Sequence, residues 1–213
     1  MTDSILNIYK ILGLSAFSFF LGIGLTPILT HFLYKYKMWR KDARTTAPDG
    51  APTPIFNSLH KERETKAPRM GGILIWFTTL AVAMLFYLLK NSGFDPIFEK
   101  LNFLSRSQTW VPLGVLVAAA LVGLLDDFMT VFGRGTYKGG GLAFGRRLFL
   151  IFMIALLSSF WFYSKLEMTS IFVPGIGYWE LGILFVPFFI GVMLATFSGG
   201  VIDGIDGLSG GVF

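Results

Sequence analysis

The stretch WVPLGVLVAAALVGLLDDF, from Trp110 to Phe128, contains sixteen residues without a charge and then two adjacent aspartates. A helix needs about 20 mostly apolar residues to cross a bilayer core that is ~30 Å thick. The stretch is slightly too short, so we expect the helix to gain about a turn from its flanks. Asp126 and Asp127 are then expected at one end of a membrane-spanning segment.

Four further apolar runs accompany this stretch. They cover Ile5–Tyr34, Gly71–Leu89, Leu148–Tyr163 and Leu181–Phe197. The chain has 213 residues and is 15% charged, whereas soluble domains average about 25%. Buried core helices of a soluble protein are the alternative, but five such runs leave too little polar surface to cover them. The sequence therefore predicts an all-α integral membrane protein with about five transmembrane helices, forming a single membrane domain over residues 1–213.

The positive charges are distributed unevenly along the chain. The loop 35–70 carries nine lysines and arginines, the loop 126–147 carries four, and five lie elsewhere. Because cytoplasmic loops of membrane proteins are enriched in these residues, we expect both loops and the end of the fifth helix in the cytoplasm and the N-terminus outside. The net charge of +5 is then explained by topology and by attraction to anionic headgroups, and not by binding to nucleic acid.

Four unusual polar segments fall on this predicted cytoplasmic side. They read KAPRMGG (Lys66–Gly72), GLLDDF (Gly123–Phe128), YKGGGL (Tyr137–Leu142) and DGIDGLSGG (Asp203–Gly211). Separate segments that meet at one membrane surface are typical of a functional site, so we expect them to converge.

Asp126 and Asp127 are the first candidates for chemistry. An ionisable residue at the edge of a membrane helix costs free energy to place there, and such residues usually serve a function. Neighbouring helical residues point ~100° apart, so we expect one aspartate to face a metal and the other a reacting proton. The alternative is an ordinary helix stop at the interface.

The glycine-rich segments supply further candidates. Asp203 and Asp206 are spaced i, i+3, and the neighbouring Gly204 and Gly207 let a ligand approach the backbone. Oxygen ligands of this kind suit Mg²⁺, whereas the spacing does not fit a calcium-binding EF-hand loop. Lys138 lies beside three glycines, which suits phosphate, although a flexible basic loop is the alternative. The chain has no cysteine, which excludes disulfides and thiolate metal sites, and it has no P-loop.

The motifs PRMGG, LLDDF, KGGGL and DGIDGLSGG, in this order, resemble those of the polyprenyl-phosphate phosphoglycosyl transferases. The closest branch is the phospho-N-acetylmuramoyl-pentapeptide-transferases, with the GlcNAc-1-phosphate transferases as near neighbours. The resemblance implies an enzyme of the bacterial plasma membrane that transfers a sugar-1-phosphate from a UDP-sugar donor to a polyprenyl phosphate lipid. UMP is released, Mg²⁺ is the cofactor, and the product is a lipid intermediate of peptidoglycan.

The resemblance also implies roles for individual residues. Asp126 is expected to act as the base, and Asp127 and Asp203 to bind the metal or the diphosphate. The residues expected to bind substrate are Lys138, Asp206, Gly207, Met70 and Gly71. Direct attack by the lipid phosphate and a covalent phospho-sugar intermediate both remain open.

Three departures from the family pattern stand out. Phe197 and Gly200 occupy positions where the family usually has asparagine, and Arg69 replaces a threonine. The family also has roughly twice as many helices, so the chain is expected to correspond to the N-terminal half of such an enzyme. Half of a membrane transporter is the alternative from another functional class, and a homodimer is left open.

Overall fold

The computed structural model describes residues 3–41, 52, 54–55, 58, 65–90, 101–134 and 141–202. The helices in these residues are α1 (Asp3–Lys35), α2 (Ile73–Lys90), α3 (Ser107–Val131), α4 (Phe144–Lys165) and α5 (Phe185–Ile202). Between α4 and α5 lie strand β1 (Ser170–Val173), strand β2 (Gly177–Glu180) and a 3₁₀ turn, Gly182–Leu184.

All five of these helices are long and apolar enough to cross a membrane. Helix α3 has 25 residues and α4 has 22, so both extend past the apolar runs seen in the sequence. The extra residues on α3 confirm the expectation that this segment gains about a turn from its flanks, and α4 is extended in the same way. The predicted helical fold with about five candidate membrane helices is therefore confirmed.

The outer surfaces of these helices are strongly apolar. Phe20 on α1, Ile75 on α2 and Leu157 on α4 are 69%, 70% and 68% exposed. Large contiguous apolar surfaces are rare on soluble monomers, but they are what a bilayer requires, since lipid is the solvent there. The described helices thus satisfy their backbone groups internally and present hydrocarbon outward, as membrane helices must.

The chain divides into two compact units, residues 1–143 and residues 144–213. In the first unit, α1 packs against α2 and α2 against α3. Gly22 of α1 lies close to Thr78 of α2, because a Cβ at residue 22 would sit 3.7 Å from the threonine methyl. A small core of Leu33, Met70 and Val131 joins the ends of α1 and α3 to the segment before α2.

In the second unit, α4 packs against α5. The rings of Phe162 and Phe189 are 5.3 Å apart, and Ala155 and Ser159 of α4 are fully buried. The Ser159 hydroxyl donates to the carbonyl of Leu156 at 2.8 Å. Because that bond satisfies the hydroxyl within its own helix, the small side chain is buried without an unpaired polar group.

The two strands form an antiparallel hairpin that the sequence analysis did not predict. Ser170 pairs with Glu180 and Val173 with Gly177. Gly175 and Gly177 in and after the turn have φ of +85° and +99°, a region that favours glycine. The hairpin occupies the connection between α4 and α5.

The orientation inferred from the charges stays a prediction, and the cysteine-free chain makes it simple to test. In a Ser58→Cys variant, an impermeant maleimide added to intact cells should not react, because this residue lies in the loop with nine basic residues. A Ser105→Cys variant is the matched control and should react, since it lies between α2 and α3. Labelling of Ser58→Cys without labelling of Ser105→Cys would show that the topology is the reverse of the one predicted.

Candidate functional site

Asp126 and Asp127 lie inside the last two turns of α3, and the helix continues beyond them. The helix ends at a Schellman motif in which Gly133 has φ +65° and the Arg134 N–H donates to the Met129 carbonyl at 2.9 Å. Glycine in this left-handed position is the usual signal that closes a helix. The aspartates are therefore not the residues that stop α3, and the helix-stop interpretation is not supported.

Asp127 is held by the segment that precedes α2. The Met70 N–H donates to Asp127 Oδ2 at 3.1 Å, and Arg69 Nη1 donates to Asp127 Oδ1 at 3.3 Å. The side chains of Arg69 and Asp127 are 29% and 30% exposed. Asp127 thus accepts one backbone bond and one charge-assisted bond from two consecutive residues.

The position of this segment depends on backbone contacts with the end of α1. The Arg69 N–H donates to the Met38 carbonyl at 2.7 Å, and Trp39 and Pro68 form an isolated bridge. Met70 then has φ +69°, which turns its N–H toward α3. A non-glycine residue in this region costs about 1–2 kcal/mol, so another interaction has to keep Met70 there.

The Met70 side chain supplies that interaction. It is 8% exposed and packs between Leu33 and Val131. Full burial of a methionine side chain contributes about 1.5–3 kcal/mol, which is enough to offset the strained backbone. The methionine therefore acts as an apolar anchor that directs its own N–H toward Asp127.

Asp126 is held by a different loop. The Leu142 N–H donates to Asp126 Oδ1 at 2.7 Å. Gly141 is buried beside it with φ +94°, and a Cβ at that position would lie 2.9 Å from Asp126 Oδ1 and 2.8 Å from Thr130 Oγ1. The glycine thus permits a close approach of backbone to carboxylate that no other residue would allow.

The two carboxylates therefore turn toward separate segments, as expected for helical neighbours ~100° apart. Three of the four motif segments meet here: residues 69–70, 126–127 and 141–142. Of the predicted site residues, Met70 contributes its N–H and Gly71 is exposed in the turn before α2. The predicted site residues that lie outside the described part of the chain are Lys138, Asp203, Asp206 and Gly207.

Sequence reasoning missed Arg69 and Gly141 as parts of this site. Arg69 was interpreted only as a departure from a family motif, although a cation inside the PRMGG motif was a usable signal. Gly141 was read as part of a flexible glycine run, and its contact with Asp126 depends on tertiary structure. Leu142 contributes its backbone N–H, which nearly every residue type has, so the sequence could not identify it.

An apolar cavity of about 400 Å³ opens beside the carboxylates, between α2 and α3. Its wall on α2 includes Ile73 and Trp76, its wall on α3 includes Ala120 and Leu124, and Asp126 and Asp127 also line it. The cavity can accept a hydrocarbon group while its polar edge offers two acidic side chains.

The acidic side chains of the described residues bear on magnesium binding. Among them, no group of three or more acidic or histidine side chains is close enough to hold a metal ion. The carboxylates of Asp126 and Asp127 are nevertheless suitable ligands for Mg²⁺, because this ion is often bound through only one or two carboxylates together with substrate phosphates. Arg69 on Asp127 Oδ1 would have to share that oxygen with the ion or turn away from it.

The bond between Arg69 and Asp127 is expected to contribute little to stability. Both side chains are partly exposed and joined by a single bond, and such pairs typically contribute about 0.2–1 kcal/mol. A double-mutant cycle with Arg69→Ala and Asp127→Asn, measured by urea unfolding in detergent, should give a coupling in that range. Arg134→Ala, which removes an exposed cation after the end of α3, is the control. A coupling well above this range would assign the pair a structural role.

The chain is similar in sequence to known bacterial transferases. Over 201 residues the chain is 29% identical to a phospho-N-acetylmuramoyl-pentapeptide-transferase of Acetivibrio thermocellus, covering 92% of the chain and 50% of the relative. The enzyme of the same name from Chloroflexus aggregans is 24% identical over 94% of the chain and 49% of its own length. That from Clostridium novyi is 26% identical over 96% and 54%.

The chain resembles these transferases. The resemblance first seen in the motifs is therefore confirmed across nearly the whole chain. The chain spans about half the length of the curated relatives it matches. No protein-family model matches it. The bacterial relatives and the five candidate membrane helices together indicate a multi-pass bacterial membrane protein.

Proposed function

We propose that this chain forms part of a phosphoglycosyl transferase that makes a lipid intermediate of peptidoglycan. In this proposal, phospho-N-acetylmuramoyl-pentapeptide passes from its UDP-linked donor to undecaprenyl phosphate, and UMP leaves. The observation that carries the proposal is the pair Asp126 and Asp127, each held by the backbone of a separate loop at the end of an apolar helix.

The placement of the pair supports chemistry on a substrate that is part lipid and part soluble. A carboxylate that is fixed by backbone N–H groups needs little reorganisation when a reacting group arrives, which is how preorganised sites gain rate. The apolar cavity beside the pair suits hydrocarbon of the acceptor, whose phosphate would then lie near the carboxylates. The basic loops on the same side of the chain favour the cytoplasm, where soluble nucleotide donors are found.

The proposal assigns a role to each of these residues. Asp126 acts as the base that removes a proton from the lipid phosphate, whose oxygen then forms the new bond to phosphorus as UMP departs. Arg69 places a positive charge beside Asp127. When bound by Asp127, Mg²⁺ would supply charge neutralisation of the donor diphosphate. Lys138 and Asp206 are assigned to donor binding.

The proposal is tested by transfer in membranes from cells that overproduce the protein from its native reading frame. Radiolabelled UDP-N-acetylmuramoyl-pentapeptide and undecaprenyl phosphate should give labelled lipid and UMP, above the level in membranes that overproduce Asp126→Asn. UDP-N-acetylglucosamine is the competing donor.

Labelled lipid from UDP-N-acetylglucosamine alone would move the assignment to the neighbouring transferase family. No increase over the Asp126→Asn membranes with either donor would contradict the proposed reaction.

A further inference from the structure

The hairpin between α4 and α5 is tied directly to the ends of both helices. The Met168 N–H donates to the Phe162 carbonyl of α4 at 3.1 Å. The N–H groups of Leu181 and Gly182 both donate to the Thr169 carbonyl, at 2.8 and 3.0 Å. Since α4 and the segment from Gly182 onward are both candidate membrane spans, these bonds place the base of the hairpin at a membrane boundary.

The far end of the hairpin is apolar and open. Phe172 and Tyr178 face each other across the strands with ring centroids 5.3 Å apart, and they are 63% and 78% exposed. Ile176 in the turn is 78% exposed, and Trp179 on the opposite face is 59% exposed. Glu180, by contrast, lies at the base, where it accepts a bond from Thr169 Oγ1. Apolar character therefore increases with distance from the two helices.

Such a hairpin needs a surface to cover it. Two strands of four residues are marginally stable in water, and this one exposes three aromatic rings and an isoleucine. Tyrosine and tryptophan combine an apolar ring with a polar group, and both are enriched where a bilayer meets water. Only four residues separate Lys165 from Ser170, so the bilayer that holds α4 is within reach of the hairpin.

We propose that this hairpin is an interfacial membrane anchor. Phe172, Ile176 and Tyr178 lie in the boundary between headgroups and acyl chains, and Glu180 stays at the level of the headgroups. The occupant of the aromatic surface is thus lipid, specifically the leaflet that receives the ends of α4 and α5. This inference does not depend on the transferase reaction, because it concerns only the connection between two helices.

The experiment uses nitroxide spin labels on the cysteine-free chain, reconstituted in nanodiscs of phosphatidylethanolamine and phosphatidylglycerol. Labels are placed singly at Ile176→Cys and Tyr178→Cys. Leu157→Cys, exposed in the middle of α4, is the membrane reference, and Ser58→Cys is the aqueous reference. Collision rates with oxygen, which concentrates in lipid, are compared with those of a water-soluble nickel complex.

The ratio of oxygen to nickel accessibility at residues 176 and 178 should be severalfold higher than at Ser58 and should lie below the ratio at Leu157, because the boundary is shallower than the middle of the bilayer. Glu180→Cys, two residues from Tyr178 on the same face, is the matched control and should give a lower ratio than Tyr178. Gel filtration of each variant checks that it remains folded and monodisperse.

Two results would overturn the anchor. Ratios at residues 176 and 178 equal to that at Ser58 would show that the hairpin extends into water. Low accessibility to both reagents would show that protein and not lipid covers the aromatic surface.

Discussion

Replacing Asp126 or Asp127 by asparagine is expected to reduce transfer by about 10²–10⁴ while the protein remains folded. Loss of a general base, the role proposed for Asp126, typically costs that much in rate, and Asp127→Asn removes the charge proposed to hold Mg²⁺. Asparagine keeps the shape of the side chain, but it carries no charge and cannot take up a proton. At Asp126 the amide oxygen can still accept the bond from the Leu142 N–H. Stability should therefore change little while activity falls.

The two variants should nevertheless differ, because the two aspartates have different partners. At Asp127 the amide N–H₂ group would face the Arg69 guanidinium or the Met70 N–H, so one of these donors loses its acceptor. The cost should stay near 1 kcal/mol, since this pair is partly exposed and such pairs contribute little. Raised Mg²⁺ should restore part of the activity of Asp127→Asn, but not that of Asp126→Asn.

These expectations are checked by initial rates of UMP release in an active preparation, with melting temperatures measured on the same samples. Glu167→Gln, which removes an exposed carboxylate beyond the end of α4, is the control and should retain full activity. Unchanged activity in both aspartate variants would leave the proposed mechanism without its base.

The helices could be predicted from the sequence because apolar length alone specifies a membrane span. A run such as Gly71–Leu89 has one stable solution in lipid, a helix that satisfies its own backbone. The end of α3 was predicted less well, since the aspartates suggested a stop and the actual signal was Gly133 in the left-handed region. Glycine after an apolar helix is a known closing signal, so that boundary was available from the sequence.

The hairpin was also within reach of sequence reasoning. The stretch SIFVPGIGYWE, Ser170–Glu180, has β-branched and aromatic residues on both sides of a Pro-Gly turn, which is typical of a short hairpin. It was missed because the flanking membrane spans dominated the composition of that region.

The contacts within the site could not be predicted from the sequence. The bonds from Met70 and Leu142 to the two aspartates come from backbone N–H groups, and any residue but proline has one. The sequence could thus identify the carboxylates and predict that they diverge. It could not show which loops would hold them, because that depends on how the ends of α1 and α3 pack around Leu33, Met70 and Val131.

Replacing Gly141 by alanine should reduce both stability and activity, although residue 141 carries no chemical group. At φ +94° a non-glycine residue is strained by about 1–3 kcal/mol. The added Cβ would also lie 2.8 Å from Thr130 Oγ1 and 2.9 Å from Asp126 Oδ1. Neither oxygen can retreat without loss, because Thr130 Oγ1 donates to the Asp126 carbonyl and Asp126 Oδ1 accepts from the Leu142 N–H.

The clash should therefore move the Asp126 carboxylate away from its loop. A displacement of about 1 Å in a catalytic group can cost about 10²-fold in rate, so transfer should fall by roughly that factor even in molecules that remain folded. Gly114→Ala is the control, because residue 114 lies in α3, the helix that carries Asp126, and has open space where its Cβ would be. That variant should melt at or above the temperature of the unmodified protein and retain its activity.

Initial rates should be measured well below the melting temperature of Gly141→Ala, so that a fall in rate is not caused by unfolding. The expected result is a rate about 10²-fold lower with a nearly unchanged KM for the donor, because only the carboxylate opposite Gly141 has moved. If Gly141→Ala melts lower but turns over normally, Asp126 does not need its bond to the Leu142 N–H in order to act. The backbone contact would then serve only to attach the loop to α3, and the position of the base would have to be set by the substrate itself.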